Sequence, residues 1–151
     1  MALQKDFREF IELLVGKNID FLVVGAHAVA FHGFPRLTGD IDFFFSLAKD
    51  NVEKLATVLT DFGFPFTVES LSLPNKIFQM GVPPNRIDLF NWLSGVTFEE
   101  AWESKVSGEI DGINVFYLSK DHLIKNKSMS GRPKDLIDLE VLKKIGVPDK
   151  P

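Results

Sequence analysis

No cysteine occurs among the 151 residues, which removes disulfides, thiolate nucleophiles and cysteine-held zinc or iron–sulfur centres from consideration. A cytoplasmic protein is expected. Polar aromatics are scarce too: one Tyr and two Trp stand beside fifteen Phe, so the core should be packed with rings that carry no hydrogen-bonding handle. Long apolar runs are missing. Residues 19–24 and 41–45 fall far short of the about 20 residues needed to cross a bilayer, so no membrane insertion is expected. Met1 to Glu12, with Gln4, Lys5, Asp6, Arg8 and Glu9, shows no apolar stretch of the kind a secretory leader carries. Positive net charge is also absent. A formal charge of −4 gives no general attraction for nucleic acid, and phosphate binding would have to come from a local basic cluster.

What is present reads as one globular domain, residues 1–151, with 45% hydrophobic and 25% charged residues. Phe7, Phe10, Ile11 and Leu14 recur at helical spacing after Asp6, with Glu9 three residues on and Gly16 to close the helix. Residues 19–24 form a β-prone run ending at Gly25; residues 26–32 suit a helix that stops at Gly33. A second strand spans 40–45, whose Phe43, Phe44 and Phe45 read as buried. A helix over 50–62 follows, with Asp50 and Glu53 at capping-box spacing. Residues 77–82 and 86–92 flank Pro83-Pro84-Asn85 as two strands joined by a short turn, a hairpin pattern, and 112–117 form a last strand. Ser119 caps a helix through Met129, and Pro133 opens another that runs to Gly146. Helices interleaved with strands, one pair of them antiparallel, predict an α/β (α+β) fold with a mixed β-sheet flanked by helices.

The chemistry concentrates around Asp40-Ile41-Asp42. On a strand, two carboxylates separated by one residue share a face while Ile41 turns to the other. Mg²⁺ (or Mn²⁺) takes such hard oxygens together with substrate phosphates. Asp88, between Ile87 and Leu89, would supply a third carboxylate if its strand lies beside 40–45, and it is the candidate base for an attacking hydroxyl. Upstream, the Gly25-Ala26-His27 turn into a helix presents backbone N–H groups suited to phosphate. Arg36 and Thr38 precede the carboxylate pair. Lys125, Lys127, Arg132 and Lys134 form the dense basic stretch, Lys127 and Arg132 being the best candidates for substrate phosphate. His27 and His32, five apart, face different ways and cannot form an i, i+4 metal pair. Trp92 and Trp102 suit the core or a base-stacking platform equally.

Gly25-Ala26-His27-Ala28 on a strand-to-helix turn, then Arg36, Thr38 and Asp40-Ile41-Asp42, with Asp88 on a later strand, resembles the DNA polymerase β-like nucleotidyltransferase superfamily. The nearest likeness is to small bacterial members related to abortive-infection and toxin–antitoxin systems. Lys127, Arg132, Lys134, Asp135 and Asp138 extend the resemblance towards the C-terminus. It implies a triphosphate held at Gly25, Ala26 and His27 with Arg36, Thr38, Lys127 and Arg132. It also implies Mg²⁺ held by Asp40, Asp42 and Asp88, and transfer of a nucleoside monophosphate from an NTP to a hydroxyl of RNA (tRNA), protein or a small molecule. Ala26 departs from the pattern, since active members usually carry Gly or Ser there. The same resemblance therefore leaves a second reading, a catalytically weak nucleotide- or partner-binding component of a toxin–antitoxin pair.

Overall fold

The computed structural model describes residues 5–34, 39–82 and 85–145. Thirteen elements follow one another: α1 (Lys5–Gly16), β1 (Phe21–Val24), α2 (Gly25–Phe31), β2 (Ile41–Phe45), α3 (Lys49–Phe62), α4 (Val68–Leu71), β3 (Ile77–Val82), β4 (Asn85–Phe90), α5 (Phe98–Glu103), β5 (Val106–Ile110), β6 (Ile113–Tyr117), α6 (Lys120–Ser130) and α7 (Pro133–Ile145). The six strands form one mixed sheet in the order β3-β4-β2-β1-β6-β5. β2 runs parallel to β4 and antiparallel to β1, β1 runs parallel to β6, and β3-β4 and β5-β6 are antiparallel pairs. The expected mixed sheet with helices is thus the fold of the chain.

Strand alternation assigns the sheet two different faces. Phe21, Val23, Ile41, Phe43, Phe45, Ile87 and Leu89 point one way, and all are buried. Phe10 of α1 packs on Phe43 at 5.8 Å between ring centroids and on Phe62 of α3 at 5.0 Å, while Phe21 meets Phe43 edge-on at 5.5 Å. Tilted and edge-to-face rings of this kind add to simple burial, and α1 and α3 cover this face. The opposite face is split. Leu22 and Phe44 are buried there, Phe44 edge-on to Phe98 of α5 at 5.2 Å. One register step away the same face carries Asp42 and Asp88, where apolar cover gives way to charge.

Several local expectations change. α3 begins at Lys49 with Ala48 at its N-cap and no side-chain cap, so Asp50 and Glu53 form no capping box. The box lies instead at Thr97 and Glu100, where the Thr97 hydroxyl accepts from the Glu100 N–H at 3.2 Å and the Glu100 carboxylate accepts from the Thr97 N–H at 2.9 Å. Asp6 falls inside the first turn of α1, and Glu9 pairs with Lys5 at 3.9 Å. β4 stops at Phe90 rather than at 92. There the Asn91 side chain accepts from the Lys76 N–H at 2.8 Å and donates to the carbonyls of Leu71 and Leu73, tying down α4 and turning Trp92 out of the strand. Ser119 caps α6 as expected, accepting from the His122 N–H. The elements α4, α5 and β5 have no counterpart in the sequence reading. The first two are shorter than two helical turns, and β5 alternates half-buried with exposed residues up to its one buried residue, Ile110.

Candidate functional site

The parallel pairing of β2 with β4 places Asp42 directly opposite Asp88. Continuing that register back one residue brings Asp40, just before β2, beside Arg86. Neighbouring strands lie about 4.8 Å apart, so four charged side chains form a compact square of three acids and one base. Arg86 is held by both acids within reach. Its Nε donates to Asp88 Oδ1 at 2.8 Å and its Nη2 to Asp88 Oδ2 at 3.1 Å, a fork on one carboxylate. The same Nη2 lies 3.4 Å from Asp40 Oδ2, and the Arg86 backbone N–H donates to Asp40 Oδ1 at 3.3 Å. Hydrogen bonding to Asp88 raises the guanidinium pKa. Arg86 was not among the sequence candidates. The signal was available, because Arg86-Ile87-Asp88 has the same charged-apolar-charged spacing as Asp40-Ile41-Asp42.

Asp42 has a different environment. Antiparallel pairing sets it opposite Val24, so its carboxylate lies against the turn that begins at Gly25. Gly25 has φ +67°, and a Cβ there would stand 2.0 Å from Asp42 Oδ2. The turn and the carboxylate fit only because that residue has no side chain. Burial, then the charges of Asp88 and Asp40, push the Asp42 carboxyl up to about 7, although Lys134 and Lys127 pull the other way.

Asp42 opens onto a cleft of about 290 Å³ lined at one end by Gly25 and Ala26, along one wall by Ile77, Phe90, Trp92 and Leu93, and along the other by the α6–α7 junction. Trp92 is 40% exposed there. Trp102 does not reach it; its ring stacks on Phe98 at 5.4 Å, with Lys105 Nζ 4.3 Å above. The basic stretch is largely committed internally. Lys127 is buried, with Nζ 3.1 Å from both Asp135 Oδ1 and Asp138 Oδ2. Arg132 Nε donates to Asp135 Oδ2 at 2.7 Å, and the Ser130 hydroxyl donates to the same oxygen at 2.5 Å. Burial alone would raise Asp135, but these hydrogen bonds and the Lys127 charge bring it down to about 2. Lys125, Arg132 and Lys134 are exposed.

Of the sequence candidates, Gly25, Ala26, Asp42, Lys127 and Arg132 line one cleft, with Asp40 and Asp88 on its carboxylate flank. His27 does not line it. It is buried behind the turn, desolvation lowers its pKa, and its Nε2 has no partner among the described residues. Arg36 and Thr38 lie outside the described residues. Among the described residues, no group of three or more His, Asp or Glu side chains is arranged to hold a metal ion as it stands. None of the described helices is long and apolar enough to cross a membrane.

A family model described as "Nucleotidyl transferase of unknown function (DUF2204)" matches residues 3–148. No curated protein matches. Among solved structures, the chain is similar to the lincosamide antibiotic adenylyltransferase LnuA in its lincomycin-bound form, at 16% identity and TM-score 0.55, over 96% of this chain and 99% of that one. It is also similar to ANT(2")-Ia in complex with adenylyl-2"-tobramycin, at 14% identity and TM-score 0.54, over 93% and 91% of the two chains. A third is the Thermotoga maritima protein TM1012, at 13% identity and TM-score 0.54, over 95% and 94%. At such identities the likeness is one of fold.

Proposed function

The chain belongs to the nucleotidyl transferases of unknown function, and from that premise we propose that residues 1–151 act as one domain moving a nucleoside monophosphate from an NTP to a hydroxyl. The observation that carries the reading is the opposition of Asp42 and Asp88 across β2 and β4, with Gly25 pressed against Asp42. The donor set suits Mg²⁺ or Mn²⁺: carboxylate oxygens from Asp40, Asp42 and Asp88, one of them raised to about 7 by burial and by the charge of the other two. Such an ion, when bound, neutralises phosphate charge and polarises the phosphorus under attack.

The chain's own residues do the rest. The close approach of the Gly25–Ala26 backbone leaves room for a triphosphate beside Asp42, and Lys134 and Arg132 offer cations across the cleft. Asp88 accepts the proton of the acceptor hydroxyl; the acceptor oxygen bonds to the α-phosphorus while the bond to pyrophosphate breaks, and pyrophosphate leaves. The apolar wall of Ile77, Phe90, Trp92 and Leu93 favours a small-molecule acceptor over RNA. That agrees with the lincosamide and tobramycin ligands of the two similar structures and with a net charge of −4. Asp88→Asn keeps shape and removes the base, so the transfer rate should fall about 10²–10⁴-fold while NTP affinity changes little. Parallel loss of both would make Asp88 chiefly a ligand, and no loss of either would remove it from the reaction.

A second reading rests on Ala26 and on the exposed Met129, Leu136 and Ile137 of α6 and α7: a weakly active protein that binds a partner chain, as in a toxin–antitoxin pair. Incubation with labelled NTPs, Mg²⁺ and small-molecule, RNA or extract acceptors separates the two. Labelled product supports transfer; its absence beside a stoichiometric co-purifying chain supports the partner role.

A further inference from the structure

We infer that Arg86 is the resident cation of the carboxylate site, holding Asp40 and Asp88 in the absence of a divalent ion and leaving them when one binds. The inference rests on the proposed metal role of these aspartates and goes beyond it, since it assigns a function to a base that the triad itself does not require.

Strand alternation sends Arg86 and Asp88 to one face of β4, and the parallel register puts them beside Asp40 and Asp42. Three of the four hydrogen-bonding or ionic contacts of Arg86 with this group come from its guanidinium, and they use both oxygens of Asp88 and one of Asp40. The fourth, from its backbone N–H, engages the other oxygen of Asp40. Two of the three acids are therefore bonded to Arg86, which accords with the described aspartates not converging, as they stand, on a metal position.

Among the described residues, Lys127 is enclosed between Asp135 and Asp138, and Arg132 is bound to Asp135. The Arg86 side chain retains 25% exposure and sits at the second residue of β4. Its guanidinium can thus swing out by side-chain rotation while β4 stays paired. A guanidinium and a hard dication compete for the same carboxylate oxygens, so occupancy by one excludes the other.

The test is Mn²⁺ binding to the full chain without nucleotide, followed by electron paramagnetic resonance of the free ion, for wild type, Arg86→Met, Arg86→Lys, Asp42→Asn and the Arg86→Met/Asp42→Asn double variant. Arg86→Met should bind Mn²⁺ at least about tenfold more tightly than wild type, and the gain should vanish in the double variant. Arg86→Lys, which keeps the charge without the fork, should fall between the two and serves if Arg86→Met does not fold. In chelator, Arg86→Met should melt below wild type, and Mn²⁺ should raise its melting temperature by more. Mn²⁺ binding by wild type that is unchanged or weakened in folded Arg86→Met or Arg86→Lys overturns the inference and leaves the metal reading intact. Absence of binding in wild type and in both Arg86 variants overturns the two together.

Discussion

Gly25 and Asp42 constrain each other through a single missing atom. A Cβ at Gly25 would meet Asp42 Oδ2 at 2.0 Å, in a backbone conformation, φ +67°, that L side chains adopt at a cost. Gly25→Ala should therefore lose about 1–2 kcal/mol from the left-handed conformation alone and displace the Asp42 carboxylate as well. Chemical denaturation and NTP titration should show both a stability loss and weaker metal-dependent binding; unchanged NTP affinity would detach the turn from the phosphate site. Asp42 makes a prediction of opposite sign. Its carboxyl is raised from 3.8 to about 7, so the folded chain holds that proton more tightly than the unfolded one. Stability of the metal-free protein should fall as pH rises between those values and level off above them. Asp42→Asn escapes that loss. In chelator at pH 8 it should be more stable than wild type, by at most about 4 kcal/mol, with the advantage shrinking towards pH 4. An Asp42→Asn protein less stable than wild type at pH 8 contradicts the crowding of the three acids.

At the scale of elements, α6 and α7 are joined across Gly131 by charge as much as by apolar contact. Lys127, on α6, is buried between Asp135 and Asp138, both on α7. Breaking a buried ion pair by deleting one partner typically costs about 3–5 kcal/mol, because the remaining charge stays uncompensated. Lys127→Met should show a loss of that order in thermal or urea unfolding, far more than a phosphate-contacting surface lysine would. If its stability matches wild type, Lys127 belongs to the substrate alone. The carboxylate strands follow a different logic. β2 is internal to the sheet, flanked by β1 and β4, and its burial except at Asp42 keeps the acid's backbone rigid, which a site built on precise oxygen positions requires.

For the whole molecule, the cleft joins parts of the chain about 100 residues apart: the turn after β1 and the start of β2 on one side, the α6–α7 junction on the other. A nucleotide spanning it ties the C-terminal helices to the sheet. A ligand at about 100 times its dissociation constant adds about 2.7 kcal/mol, or about 5–10 °C of melting temperature for a chain of this size. A non-hydrolysable NTP with Mg²⁺ should give that shift in one cooperative transition, and the NTP with chelator should give much less. Equal shifts with and without the metal would separate nucleotide binding from the carboxylates.

Local signals in the sequence determined most of this architecture. α1, α3 and the strands that became β1 to β4 and β6 were legible because each buries an apolar stripe or face that imposes its spacing on the sequence, whereas α6 and α7 were legible from their starts at Ser119 and Pro133. Short elements were not: α4 and α5 span four and six residues, too few to establish a period, and the capping box moved because capping spacing recurs by chance in a chain with many acids. Asp40, Asp42 and Asp88 stood out through their apolar neighbours. Only the tertiary structure decided how they are used, because strand register is a pairing between separate segments. The β2–β4 register, across more than forty residues, set Asp42 against Asp88 and put Arg86 over Asp40, the β1–β2 pairing pressed Gly25 onto Asp42, and none of these distances is written in the spacing of any one segment.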